Sequence, residues 1–397
     1  MSDLIPSTPV NPSNLTQNDI IKTKLSKTNK IKDKNSLEYV YKTAIAGGIS
    51  GSCAKTIIAP LDRVKILFQT ANPEYKQFSG SFFGLFKASN KIYFNDGLIG
   101  FFQGHSATLL RIFPYAAIKW VFYEQIRNIL IPNDNYETNI RRLLSGSLSG
   151  MISVFATYPL DLLRVRLAFE TKKIHYNPSQ NQIDPINQLN QIGFKNNHRL
   201  ISTVKLILKE HPPLATSHNP FLKLFNVILP NQLACLSNFY RGFTPTILGM
   251  IPYAGVSFWT YDLCHDIFRS HLFAPYTVQN PVMKNIENKI EEEKLIYPHY
   301  EKKPLKSWAQ LLAGGLAGLA SQTAAYPLEV IRRRMQVGAI TTSNGEFMTI
   351  KQTAKLIWHG SGIKGFYVGL SIGYLKVTPM VACSFLVYEK CKMFFGL

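Results

Sequence analysis

The chain has 397 residues, 46% of them hydrophobic and only 17% charged, against roughly a quarter charged in an ordinary soluble domain. Lys and Arg number 44 and Asp and Glu 24, a net charge of +20 that suits nucleic acid, an anionic membrane surface or an anionic small molecule. The 12% aromatic content excludes a disordered chain, and five cysteines without a CxxC pair argue against a disulfide framework or a cysteine-rich zinc module.

A mean hydropathy near zero conceals a segregation along the chain. Residues 1–36 are polar and Lys-rich, with acids at Asp3, Asp19 and Asp33, and read as a disordered tail. They lack the apolar core of a signal peptide and fit poorly to an Arg-rich, acid-poor transit peptide. Apolar helices are expected near 40–67, 106–129, 140–168, 243–268, 306–336 and 370–393. Stretches 143–160, 243–261 and 307–328 contain no Asp, Glu, Lys or Arg, which is long enough to cross the hydrocarbon at about 1.5 Å per residue. Residues 172–236, rich in Asn, Gln, His and Pro, and 276–304, with a Lys/Glu run, read as inserted loops.

Self-comparison finds the same pattern three times. It begins with Pro60-Leu-Asp62-Arg-Val-Lys65, Pro159-Leu-Asp161-Leu-Leu-Arg164 and Pro327-Leu-Glu329-Val-Ile-Arg332. Glycine pairs precede each proline (Gly47 and Gly51, Gly146 and Gly150, Gly314 and Gly318), at a spacing that lets neighbouring membrane helices approach closely. An aromatic-x-Gly follows at Gly104, Gly242 and Gly369, and then a Tyr-acid pair at Tyr123-Glu124, Tyr261-Asp262 and Tyr388-Glu389. The units are 37–132, 137–275 with an inserted loop at about 172–236, and 305–397, the last preceded by the insert 276–304. The expected fold is all-α and membrane-embedded: a six-transmembrane-helix bundle of three tandem two-helix repeats with pseudo-threefold symmetry. The prolines should kink the odd-numbered helices, so that they converge at one end and leave a cavity open at the other.

Beyond each proline an acid is followed three residues later by a base on the same helical face. Charges at membrane depth are costly unless paired. A ring closed by Asp62–Arg164, Asp161–Arg332 and Glu329–Lys65 meets that need, braced by Gln69 and Gln336, where the second repeat has Ala168. A second, weaker ring is expected at the other end from Glu124 with Arg127, Asp262 with His265, and Glu389 with Lys392.

The thrice-repeated Pro-x-acid-x-x-base with its downstream Gly resembles the mitochondrial carrier family over about residues 40–397, apart from the two inserts. The resemblance implies a transporter of the inner mitochondrial membrane with both termini in the intermembrane space. It makes the first ring a matrix gate and the second a cytoplasmic-side gate. Leu67 stands where the family has a second base, Gln103 and Val368 replace the base before Gly, and the acid-Gly pair is clear only at Asp96-Gly97. The resemblance also implies a monomer, with cardiolipin as a candidate lipid. Basic residues in the loops after the odd helices fit a positive-inside bias on the side the family places in the matrix.

Gate residues must repeat, whereas an unsymmetrical cargo should be read by residues that do not. Seven residues past each Gly stand Arg111, Gly249 and Lys376; five before each Pro, Lys55, Val154 and Gln322; six after it, Ile66, Val165 and Arg333. Lys55, Arg111, Arg333 and Lys376 are therefore expected as unpaired cavity cations for a polyanionic, phosphate-bearing substrate. By resemblance Arg111, Gly249-Met250 and Lys376 match the family's contact points, and Tyr253 the ring-stacking tyrosine of adenine-nucleotide carriers. The runs Ser371-Ile-Gly-Tyr-Leu-Lys376 and Arg111-Ile-Phe-Pro-Tyr115 look most like the coenzyme A carriers. A carrier of ADP, ATP or adenosine 3′,5′-bisphosphate remains open, and so does a non-transporting receptor or scaffold of the same fold. No EF-hand, Walker loop, nucleophile–base pairing or metal cluster is legible, so neither an enzyme, a cofactor nor a metal is expected. Nucleic acid would explain the charge but not the repeats.

Overall fold

The computed structural model describes residues 37–81, 83–132, 138–170, 199–210, 231–278, 305–341 and 348–396. The expected tail at 1–36, most of the insert at 172–236 and most of that at 276–304 lie outside these residues. Among the described residues the chain is helical, with one isolated β-bridge and no strand. Three times over, a long helix is followed by a short one and a second long one. The first repeat has α1 (Leu37–Gln69), α2 (Gly84–Gly100) and α3 (His105–Leu130). The second has α4 (Asn139–Phe169), α5 (Arg199–Lys209) and α6 (Phe243–Arg269). The third has α7 (Ser307–Thr341), α8 (Ile350–Ser361) and a last helix divided into α9 (Leu370–Leu375) and α10 (Val377–Phe395).

Local chemistry explains the punctuation. Gly104, Gly242 and Gly369 cap the second long helix of each repeat with φ of 80°, 76° and 82°, a left-handed conformation that favours glycine. Proline recurs in those helices as well, at Pro114, Pro252 and Pro379, three residues past Arg111, Gly249 and Lys376. Pro379 offers no N–H to the Leu375 carbonyl, and the helix is divided at Lys376.

The insert at 172–236 departs from its reading as a loop, because α5 lies inside it. Leu200, Val204 and Ile207 recur at helical spacing and pack on Leu162, Leu163 and Leu167 of α4 and on Phe239. The Asn- and Gln-rich segment before it and the prolines after it conceal this short amphipathic segment in the composition. Equivalent clusters join α1 to α2 (Val64, Leu67, Leu85, Ile92) and α7 to α8 (Val330, Ile331, Ile357). The ends of the other insert are brought together by a bridge between Val278 and Leu305 and by Lys306 N–H donating to the Thr277 carbonyl at 2.7 Å.

Contacts divide the chain into residues 1–54 with 381–397, and 55–380. Among the described residues, three helical stretches are long and apolar enough to cross a membrane by length and composition: Tyr41–Gln69, Arg141–Phe169 and Ile363–Phe395. The other three expected spans fall short of that measure. α7 is rich in Gly and Ala and carries Gln310 and Gln322, α6 carries Pro245, Pro252, Thr244, Thr246 and Thr260, and α3 carries Arg111, Lys119, Glu124 and Arg127. Close approach at the glycine pairs is not seen either. A Cβ placed on Gly47, Gly51, Gly146, Gly150, Gly314 or Gly318 would meet nothing within 4 Å.

Candidate functional site

The segments just past Pro60, Pro159 and Pro327 bring three acid–base pairs together. Arg164 Nη2 lies 2.6 Å from Asp62 Oδ2 and Lys65 Nζ 2.9 Å from Glu329 Oε1, while Arg332 contacts Asp161 directly. Each pair joins two repeats (α4 to α1, α1 to α7, α7 to α4), so the three close a ring. The side chains of Asp161 and Asp62 are 2% and 9% exposed and that of Glu329 29%. Gln69 Nε2 donates to Glu329 at 3.2 Å and to the Tyr326 hydroxyl at 3.1 Å. Gln336 Nε2 donates to Asp161 at 3.3 Å and to the Tyr158 hydroxyl at 3.1 Å. Below the ring, Ile66, Val165, Ala168, Phe169 and Val337 form an apolar plug.

The expectation of four unpaired cations is corrected by this geometry for three of them. Arg111 Nη1 lies 2.7 Å from Asp161 Oδ1, Arg333 Nη1 3.2 Å from Asp161 Oδ2, and Lys376 Nζ 2.8 Å from Asp62 Oδ1. Lys55 Nζ approaches Met380 Sδ at 3.5 Å. The reason is that a carboxylate has two oxygens. Each ring aspartate turns one to its ring base and the other to a cation seven residues past a helix-capping glycine. The position that would serve Glu329 in the same way is Gly249, which carries no charge. Met250 is half-buried beside it, and Tyr253, one turn further on, is 49% exposed. The Arg111 guanidinium also lies over the Tyr115 ring, 5.4 Å from its centre.

Glu124, Asp262 and Glu389 are exposed, in contrast to the buried Asp62 and Asp161. Lys392 Nζ is 4.0 Å from Glu389 Oε1 on its own helix, and the His265 ring lies 4.2 Å from that of Tyr261. Among the described residues no group of three His, Cys, Asp or Glu is placed to hold a metal.

Sequence reasoning missed a second layer of buried charge beneath the ring. Arg63, 1% exposed, pairs with Asp96 at 3.1 Å and donates to the Gly100 carbonyl. In the second repeat Arg166 binds both oxygens of Glu210, at 2.7 and 3.2 Å, and Arg241 reaches Glu210 Oε2 at 2.6 Å. Burial pushes the Arg241 guanidinium below its ordinary range, and the Glu210 carboxylate opposes that shift. Glu210 was concealed because His211 follows it in place of Gly, so the acid-Gly signal seen at Asp96 is absent.

Thrice-repeated helical units around a charged ring define a membrane carrier, and comparison with known proteins gives the same answer. The family model for mitochondrial carrier protein matches residues 36–134, 135–215, 201–272 and 303–397. Mitochondrial carrier protein LEU5 of Saccharomyces cerevisiae is 51% identical over 370 residues, 92% of this chain and 93% of that protein. Solute carrier family 25 member 16 of Homo sapiens is 34% identical over 360 residues, 90% of each chain. Mitochondrial carrier protein CoAc2 of Zea mays is 33% identical over 355 residues, 88% of this chain and 85% of the relative. The chain belongs to the mitochondrial carrier family. Members of that family are transporters of small molecules and not enzymes.

Proposed function

We propose that the chain carries coenzyme A, or a closely related adenine-nucleotide anion, across the inner mitochondrial membrane by alternating access through two charged gates. The observation that carries the reading is the charge balance at the ring. Six basic groups (Lys65, Arg111, Arg164, Arg332, Arg333 and Lys376) lie on three carboxylates, with Lys55 beside Met380. Six minus three leaves an excess of three positive charges before Lys55 is added. A cargo with separated phosphates, such as a nucleotide with a diphosphate and a 3′-phosphate, meets that excess. A simple monocarboxylate does not. Arg111, Arg333, Lys376 and Lys55 would hold the phosphates, Gly249 and Met250 would admit a flat base, and Tyr253 would stack on it. The step from nucleotide to coenzyme A rests on the family resemblance of the runs at Arg111 and Lys376.

In this reading six helices surround the cavity with pseudo-threefold symmetry, and the chain works as a monomer with both termini in the intermembrane space. Cardiolipin is its candidate lipid partner. The buried ring is the closed matrix gate. By the family resemblance Glu124, Asp262 and Glu389, with Arg127, His265 and Lys392, belong to a cytoplasmic-side gate. Cargo that takes Arg111 and Lys376 draws them from Asp161 and Asp62, which ties binding to loosening of the matrix gate.

The test is exchange in liposomes reconstituted with the purified chain. Uptake of labelled coenzyme A, adenosine 3′,5′-bisphosphate, ADP and ATP is compared with that of simple carboxylates. Saturable uptake of coenzyme A above the other nucleotides is expected. Preference for ADP or ATP would move the cargo within the class. Uptake of carboxylates alone would overturn the reading, and no uptake of any solute would favour a non-transporting receptor.

A further inference from the structure

The three seams of the ring are built differently. Where α7 meets α4, the Tyr158 hydroxyl donates to the Arg241 carbonyl at 2.7 Å and accepts from Gln336, which also reaches Asp161. Where α1 meets α7, the Tyr326 hydroxyl donates to the Val368 carbonyl at 2.9 Å and accepts from Gln69, which also reaches Glu329. Both seams follow one rule. The tyrosine precedes the helix proline, the glutamine stands four residues past the ring base, and the carbonyl precedes the capping glycine.

Where α4 meets α1, those positions hold Ala59, Ala168 and the Gln103 carbonyl. Neither alanine side chain can form a hydrogen bond. In place of the Tyr–Gln pair lies a small recess whose walls include Ala59, Ala168, Gln103, Thr108, Asp62 and Arg164. The Gln103 side-chain oxygen, buried there, meets no donor. The second oxygen of Asp62 is held instead by Lys376 at 2.8 Å. Asp62 therefore depends on a cation that the transport reading gives to cargo.

We propose that the Asp62–Arg164 seam is the point at which the ring opens first, and that cargo releases it by drawing Lys376 from Asp62. The proposal rests on the transport reading. Once Lys376 is engaged elsewhere, Asp62 keeps Arg164. Asp161 without Arg111 and Arg333 still keeps both Arg332 and Gln336. Glu329 gives up nothing, since both its partners, Lys65 and Gln69, belong to the ring and its brace. The loss falls on the seam that also lacks the Tyr–Gln pair.

The experiment rebuilds the missing brace in the full chain by Ala59→Tyr with Ala168→Gln. Ala59→Phe with Ala168→Gln is the control that fills the recess without the hydroxyl. Gln69→Ala and Gln336→Ala weaken the other two seams. Coenzyme A exchange in liposomes and the thermal unfolding midpoint in detergent are measured for each. The rebuilt seam should raise the midpoint and slow exchange about tenfold, the worth of one or two added buried hydrogen bonds. The Phe control should do less. If the Tyr variant does not fold, Ala168→Gln alone, placing an amide beside Asp62, should give the same effect in smaller measure. A rebuilt seam that leaves rate and midpoint at the parent values, while Gln69→Ala or Gln336→Ala changes them, overturns the proposal and leaves the transport reading standing. Failure of the parent chain to exchange any nucleotide would instead count against the transport reading, and the midpoints would still report on the seam.

Discussion

Asp161 carries the largest share of the ring, and its replacement by Asn tests that share. Asn keeps the size and one carbonyl oxygen of the native side chain and removes the charge. The carboxylate is 2% exposed and meets Arg111 at 2.7 Å, Arg333 at 3.2 Å, Gln336 at 3.3 Å and Arg332 in direct contact. Removing one partner from a buried ionic group costs about 3–5 kcal/mol, because the remaining charges stay buried without compensation. Glu329 is the internal comparison: its side chain is 29% exposed, and it faces one ammonium and one amide. Its replacement leaves one buried base, Lys65, uncompensated where that of Asp161 leaves three, so it falls at the low end of that range, about 3 kcal/mol. The difference of roughly 2 kcal/mol amounts to about thirtyfold in the folding equilibrium. Thermal unfolding of the purified chain in detergent reads it. Asp161→Asn should lower the midpoint by roughly 5–10 °C and Glu329→Gln by about half as much. A Glu329→Gln loss equal to or larger than that of Asp161→Asn would refute the argument that the shared carboxylate bears the ring.

Three further outcomes follow from the same geometry. Arg111→Ala and Lys376→Ala should each abolish coenzyme A exchange in liposomes. Lys55→Ala, which removes a cation held by a thioether and by none of the ring acids, should reduce exchange by a smaller factor in the same assay. Glu210→Gln strands Arg166 and Arg241, which are 2% and 3% exposed at their side chains. It should cost about 3–5 kcal/mol of stability, read as a lower unfolding midpoint, while the concentration of cargo at half-maximal exchange stays near the parent value.

The repeats, the six long helices and the order of ring residues were legible because each rests on a local signal that occurs three times. Proline, acid and base at fixed spacing fall on one helical face whatever the tertiary packing. Partnership across repeats was harder to read. Counting residues found Arg111, Arg333 and Lys376 as breaks in the symmetry, yet it could not show that the second oxygens of Asp62 and Asp161 turn toward them. Side-chain direction across a cavity has no period in the sequence. α5 was concealed for another reason, since its apolar positions follow an Asn- and Gln-rich segment that dominates the composition. Tyr158 and Tyr326 read as ordinary aromatic residues until their hydroxyls are seen on the Arg241 and Val368 carbonyls.

A threefold ring alone cannot distinguish one end of an unsymmetrical anion from the other. Here the symmetry is broken at two places, and they fall on different seams. Gly249 leaves Glu329 without the second cation that Asp62 and Asp161 each have, so this position offers a cargo no charge. Ala59 and Ala168 leave the Asp62 seam without the Tyr–Gln pair of the other two, and its acid is tied to Lys376. An anion that spans Arg111 and Lys376 with its uncharged part toward Gly249 would draw on Asp161 and Asp62 and leave Glu329–Lys65 undisturbed. Its orientation in the cavity and the order in which the seams part are then set by the same three positions past the capping glycines.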